Sequence, residues 1–134
     1  MASERSDPET GPPEDGMVAV LAVDDDPEFL RVTREVVRAT PGFTTVAEAS
    51  TGEDAVSLAH TLRPGLVLMD VRMPGIGGIE AARRIGQAGD GRTAVVLMSA
   101  DAQILAALSM PNGTVGVVSK ERLSPSVLRG LWND

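Results

Sequence analysis

Apolar runs and mixed polar–apolar segments alternate five times along the chain from residue 17 onward. MVAVLAV (17–23) is short, continuous and rich in β-branched residues, the pattern of a strand covered on both faces. FTTVAEA (43–49) is a weaker version, and LVLM (66–69), TAVVLMS (93–99) and TVGVVS (114–119) repeat the theme. Helical spacing fills the intervals. The first helix is predicted to start at Pro27, with Asp26 as its N-cap and Pro27 at the first helical position. It should turn Phe29, Val32, Val36 and Val37 inward and stop at Pro41-Gly42. Ser50-Thr51-Gly52 opens a second helix with Ala55, Leu58 and Leu62 inward. IEAARRI makes a third, and DAQILAALSM a fourth with Ile104, Leu105 and Leu108 apolar. Ser124 caps the fifth, with Pro125 at its first position and Trp132 docking its end. Met69, Met73, Met98 and Met110 read as core or loop packing.

Strict alternation of strand and helix predicts a single α/β domain over 17–134. The expected architecture is a doubly wound (βα)5 unit, a five-stranded parallel sheet with right-handed crossovers and helices on both faces. Residues 1–16 carry prolines, glycines, serines and five acids against one arginine, with almost nothing to bury, so an acidic disordered tail is expected there.

The polar residues gather where the strands end. Asp24 and Asp25 follow the first strand, Asp70 the third, Ser99 the fourth and Lys120 the fifth. All lie at carboxyl ends of strands predicted to be parallel, the edge at which open α/β sheets bind ligands. In the order 2-1-3-4-5 the first and third strands are neighbours, and Asp25 and Asp70 converge. Carboxylates at close range cannot all ionise at neutral pH without compensation. A hard cation removes the difficulty, and Mg²⁺ takes oxygen ligands from one or two carboxylates while keeping waters and a phosphate oxygen. Mn²⁺ could take its place. In this reading Asp24 and Asp25 hold the metal, while Asp26 caps a helix.

Composition narrows the function. The 134 residues suit one domain, and the absence of cysteine excludes disulfides and thiolate metal sites. The net charge of −7 and the scarcity of aromatics (Phe29, Phe43, Trp132) argue against direct nucleic acid binding. No run approaches the apolar length of a membrane helix and the start has no secretory core, so a cytoplasmic protein without a membrane contact is expected. Eleven of the twelve basic residues are arginine and Lys120 is the single lysine. A compact point charge on a flexible stem fits a small site beside a phosphate better than a planar fork does. GIGGIE fits neither a P-loop nor a dinucleotide fingerprint, so Gly75, Gly77 and Gly78 are read as turn and helix-start residues, and His60 as solvent-facing.

VDDDPEFL, LVLMDVRMPGIGGIEAARRI, VVLMSA and VVSK, in that order and spacing, resemble the response regulator receiver domain of two-component signalling. The resemblance runs from residue 17 to about 132. It implies that Asp70 is the phosphoacceptor, taking a phosphoryl group from a histidine kinase or phosphotransfer protein. It implies Mg²⁺ ligation by Asp25, Asp70 and the backbone carbonyl of Arg72, with Asp24 acting through a metal-bound water. Ser99 and Lys120 would contact phosphoryl oxygens. Arg72 and Asp101 occupy positions that flank the site and tune dephosphorylation. Opposite charges there could pair across its mouth. Three residues depart from the pattern. Val117 stands where an aromatic switch residue is usual, Glu121 where proline usually follows the lysine, and Gly77 where an Asp often sits, which should free the loop after Asp70.

Three functions compete at this stage. The first is a phosphorylation-dependent switch, not an enzyme, with a homodimer or effector surface on the fourth and fifth helices. The second is a pseudo-receiver that binds partners without phosphorylation. The third is a phosphatase of the haloacid dehalogenase type, to which Asp24 and Asp26 give the right spacing but for which no cap domain follows.

Overall fold

The computed structural model describes residues 16–88, 92–107 and 113–133. Residues 1–15 of the expected tail therefore lie outside the described residues, as do Leu108 and Met110 of the fourth helical segment. Strands β1 (Val18–Val23), β2 (Phe43–Ala49), β3 (Leu66–Asp70), β4 (Ala94–Ser99) and β5 (Thr114–Ser119) form one parallel sheet in the order β2-β1-β3-β4-β5. Helices α1 (Pro27–Arg38), α2 (Gly52–Leu62), α3 (Gly77–Ala88), α4 (Ala102–Ala107) and α5 (Pro125–Asn133) connect and follow the strands. This is the predicted doubly wound (βα)5 architecture.

The central strands read as unbroken apolar runs because both of their faces are covered. Leu21, Val23, Val67, Met69, Val95 and Leu97 face one core with Ala55, Ala59, Ala81, Ala82 and Ile85 of α2 and α3. Val20, Leu66, Leu68, Val96 and Met98 face the other, with Val37 of α1 and Leu128 of α5. The period-two alternation of strand side chains divides each run between the two cores. Trp132 packs edge-to-face on Phe43, with ring centroids 6.1 Å apart, which docks the end of α5 beside β2.

One expectation needs correction. Val32 is not inward but 39% exposed, and its place in the buried stripe of α1 is taken by Thr33. The stripe runs through Phe29, Thr33, Val36 and Val37, a helical spacing that a polar residue interrupts in composition but not in geometry. Lys120 follows the fifth strand, as expected. It opens a 3₁₀ turn, Lys120–Arg122, that Ser119 caps by accepting the Glu121 N–H. The predicted caps are present at Asp26 and Ser124, which accept backbone N–H groups from Glu28 and Val127, and within the expected Ser50-Thr51-Gly52 opening Thr51 is the cap, accepting from Asp54.

The β3–α3 connection carries the tightest packing near the strand ends. The helix begins at Gly77, two residues before the expected Ile79, and Gly77 has φ +79°, a left-handed conformation that glycine adopts freely. Gly78 donates its N–H to the Val71 carbonyl, 2.9 Å away. A Cβ on Gly78 would run into the backbone carbonyl of Asp70. Glycine at 78 is therefore what lets α3 start directly against the end of β3. Gly78→Ala should lower stability by about 1–3 kcal/mol in urea denaturation, because the colliding partner is main chain that cannot swing aside.

Candidate functional site

Register brings the polar strand-end residues to one edge. Val23 pairs with Ala49 and Met69, Asp70 with Met98, and Ser99 with Ser119, so β1, β3, β4 and β5 end within two residues of one another. The ladder runs one residue further at two places, through Asp24 N–H to the Ala49 carbonyl and Val71 N–H to the Met98 carbonyl. These bonds fix the main chain on which the acids sit.

Asp24, Asp70 and Ser99 are buried, at 1%, 6% and 3% exposure, whereas Asp25 is exposed. Ligand oxygens of Asp24, Asp25 and Asp70 lie within 4.8 Å of one another. The Lys120 ammonium sits 2.6 Å from Asp24 Oδ2 and 3.6 Å from Asp70 Oδ1. Its contact with Asp24 is one of charge. Asp24 Oδ2 is fully buried yet has no aligned hydrogen-bond donor, while Oδ1 accepts the Asp26 N–H at 2.9 Å. A buried carboxylate oxygen without a directed partner, in an all-oxygen cluster of net negative charge, is a donor set that fits a hard divalent cation.

Burial is the largest cause that pushes the Asp70 carboxyl up, from the usual 3.8 to about 6, and the neighbouring Asp24 charge adds to it. Lys120 and the Arg72 backbone N–H pull the other way and lose. Burial also disfavours the charge on Lys120. The Asp24 carboxylate close beside it, followed by Asp70, outweighs this and holds the ammonium above its ordinary pKa. The lysine is thus a fixed positive charge, and the carboxylate facing it is the group under strain.

Ser99 Oγ accepts the Asp101 N–H at 3.0 Å, and Asp101 Oδ1 accepts the Gln103 N–H at 2.9 Å at the start of α4. Asp101 Oδ2 is 4.0 Å from the Arg72 guanidinium, a loose contact between two exposed side chains. Val117 is half-buried against the core on the α2–α3 side, where Ile104 also packs. His60 is exposed. Phe29 was read in the sequence only as an inward-facing residue of the first helix. The structure also sets its ring centroid 4.6 Å from the Lys120 ammonium. The signal available for that was its position, three residues after the N-cap Asp26 and five after Asp24.

Comparison with known proteins gives a consistent picture. The response regulator receiver domain family matches residues 20–129. The response regulator UvrY of Escherichia coli is 38% identical over 115 residues, which cover 86% of this chain and 53% of that protein. A protein-glutamate methylesterase/protein-glutamine glutaminase of Myxococcus xanthus is 50% identical over 66 residues, 49% of this chain and 19% of the other. The chain thus spans about half or less of the length of these relatives. Among solved structures, the response regulator domain of Thermotoga maritima CheB superposes with a TM-score of 0.73 at 27% identity, covering 87% of this chain and 95% of that one. The receiver domain of the putative response regulator NarL from Mycobacterium tuberculosis gives 0.70 at 26% identity, covering 88% and 98%. No helix among the described residues is long and apolar enough to cross a membrane.

The electrostatics predict a pH signature. Asp70 holds its proton more tightly in the folded chain than when unfolded. The resulting stabilisation is complete below about pH 4 and is lost as pH rises through about 6. In metal-free buffer at pH 7.5, Asp70→Asn should therefore be more stable than the wild type by about 1–3 kcal/mol. The difference should narrow as the pH is lowered through 6 toward 4, read by urea denaturation across that range. A difference that does not vary with pH would contradict the burial of an ionised Asp70.

Proposed function

The chain belongs to the response regulator receiver domain family, and on that premise we propose that it is a phosphorylation-controlled switch with Asp70 as phosphoacceptor. The donor is the phosphohistidine of a histidine kinase or phosphotransfer protein. The observation that carries this reading is the buried meeting of Asp24, Asp70 and the single lysine, Lys120, at the carboxyl edge of the sheet.

In the transfer an Asp70 carboxylate oxygen attacks phosphorus. A P–O bond forms as the donor's P–N bond breaks, and the electron pair of that bond returns to the imidazole. Asp70 must be ionised to attack, and its raised pKa of about 6 leaves it mostly so at neutral pH while making the carboxylate more basic than an exposed one. Lys120, held charged, faces the oxygens that gain negative charge. Ser99 Oγ accepts the Asp101 N–H and still has its own hydrogen to donate to a phosphoryl oxygen. Asp24, Asp25, Asp70 and the backbone carbonyl of Arg72 would hold Mg²⁺, or Mn²⁺ in its place. When bound, that ion neutralises charge on the transferred group.

The switch acts by changing partner affinity, with α4 and α5 as the surface for a homodimer or effector, in the cytoplasm and with no catalytic turnover of its own beyond gain and loss of the phosphoryl group. A second reading, a pseudo-receiver that binds without phosphorylation, draws on Val117 and Glu121, the two departures from the family pattern.

Mass spectrometry after incubation with a small phosphodonor and Mg²⁺ separates the two readings. The expected result is a gain of one phosphoryl group, absent with EDTA and absent in Asp70→Asn. No gain in the wild type would favour the pseudo-receiver. We further propose that Arg72 and Asp101 narrow the approach of water to the phosphorylated site. Replacing both with alanine should shorten the phosphoaspartate lifetime by about two- to fivefold, the scale of an exposed charge pair. An unchanged decay rate would remove that role.

A further inference from the structure

We propose that Phe29 is a positioning residue for this chemistry, its ring face roofing the Lys120 ammonium and holding it over Asp24 and Asp70. The inference rests on the reading of Asp70 as phosphoacceptor.

Lys120 has an unusual distance to cover. It starts at the end of β5, while Asp24 follows β1, and β3 and β4 lie between those strands in the sheet. Four rotatable bonds carry the ammonium across that edge, and an unrestrained lysine stem would spend its time in solvent. Its side chain is nevertheless only 15% exposed. Two carboxylates draw it inward, Asp24 at 2.6 Å and Asp70 at 3.6 Å, and the face of Phe29 closes on it with the ring centroid 4.6 Å away. An ammonium over an aromatic face within about 6 Å is attracted by the ring quadrupole.

Local sequence explains how the ring gets there. Asp26 caps α1 and Pro27 is its first residue, so the first turn of the helix is fixed directly after Asp24 and Asp25. Side chains of a helix lean toward its N-terminus. Phe29, on that first turn, leans back over the strand end it follows. Apolar packing alone does not require an aromatic ring here, because Phe29 is half-buried at the margin of its core, a position an aliphatic side chain could also occupy. What an aliphatic residue lacks is the negative face.

The single lysine makes the test direct, since ¹³C-lysine labelling gives one set of Cε–H signals. In the wild type those protons should be displaced upfield by the ring current of Phe29. The displacement should persist in Phe29→Tyr and vanish in Phe29→Leu and Phe29→Met. The initial rate of phosphoryl gain from a small phosphodonor with Mg²⁺ should fall about two- to tenfold in the Leu and Met variants and return in Tyr. Using two aliphatic replacements guards against one that misfolds, and unfolding midpoints identify it. Absence of the upfield displacement in the wild type overturns the inference, as do wild-type rates in folded Leu and Met variants. A wild type that gains no phosphoryl group sinks the phosphoacceptor reading, and the positioning role with it. One that gains it while both variants keep pace removes only the role of Phe29.

Discussion

Three carboxylates share one end of the sheet with one ammonium, and this imbalance organises the rest of the site. Oxygens of Asp24, Asp25 and Asp70 within 4.8 Å of each other repel by at least about 3 kcal/mol per ionised pair at the effective dielectric of a protein surface. Lys120 offsets part of this, and its contact favours Asp24 over Asp70 by a full ångström. Asp70 bears the remainder from Asp24 on top of its own burial, the larger cause, and its carboxyl rises to about 6. A site left with excess negative charge has three ways to relax: a proton, a cation, or a change in who pairs with the lysine. Each alters the charge of Asp70 or the position of Lys120, which is why the same electrostatic fact bears both on cation binding and on conformation.

That imbalance exists only because the main chain holds the acids in place against their repulsion. The strands end close together, and ladder bonds continue through Asp24 and Val71 beyond the last strand residues. Gly78 then brings the start of α3 against the carbonyl of Asp70, with its own N–H bonded to Val71. The apolar runs that build the two cores thus have a second consequence. Because β1, β3 and β4 are covered on both faces, their polar termini have nowhere to go except the open edge, and parallel order puts all the carboxyl ends on the same one.

Much of this is visible in the sequence, and the residues that are not share a cause. β-branched runs separated by helical spacing specify sheet order once the family pattern is present, and the acids stand out because they terminate runs that are otherwise wholly apolar. The helix caps at Asp26, Thr51 and Ser124 are local, so local spacing finds them. Residue type favours Val32 as an inward position, whereas the angular spacing of α1 puts Thr33 there. Phe29 was found as an inward residue, but its contact with Lys120 joins segments about ninety residues apart through a flexible stem, and no periodicity encodes that. The same holds for the preference of Lys120 for Asp24, since the spacing of the motif places the lysine near the acids without saying which one it touches. The 3₁₀ turn after β5 escaped for a different reason: three residues are too few to generate a pattern.

Val117 changes how such a site connects to its surroundings. A half-buried β-branched residue packed against the core has no polar tip and little rotamer freedom, so it cannot act as a lever between buried and exposed positions. The connection that the structure does contain runs through side chains with two tasks each. Ser99 lies in the site and also accepts the Asp101 N–H. Asp101 caps the first turn of α4 with one oxygen and faces Arg72 with the other. Arg72 in turn gives its backbone N–H to Asp70. Charge at Asp70 and order at the start of α4 are therefore linked by a short chain of hydrogen bonds and one loose ion pair. In a protein without the aromatic lever, that chain is the described route by which the two can influence each other.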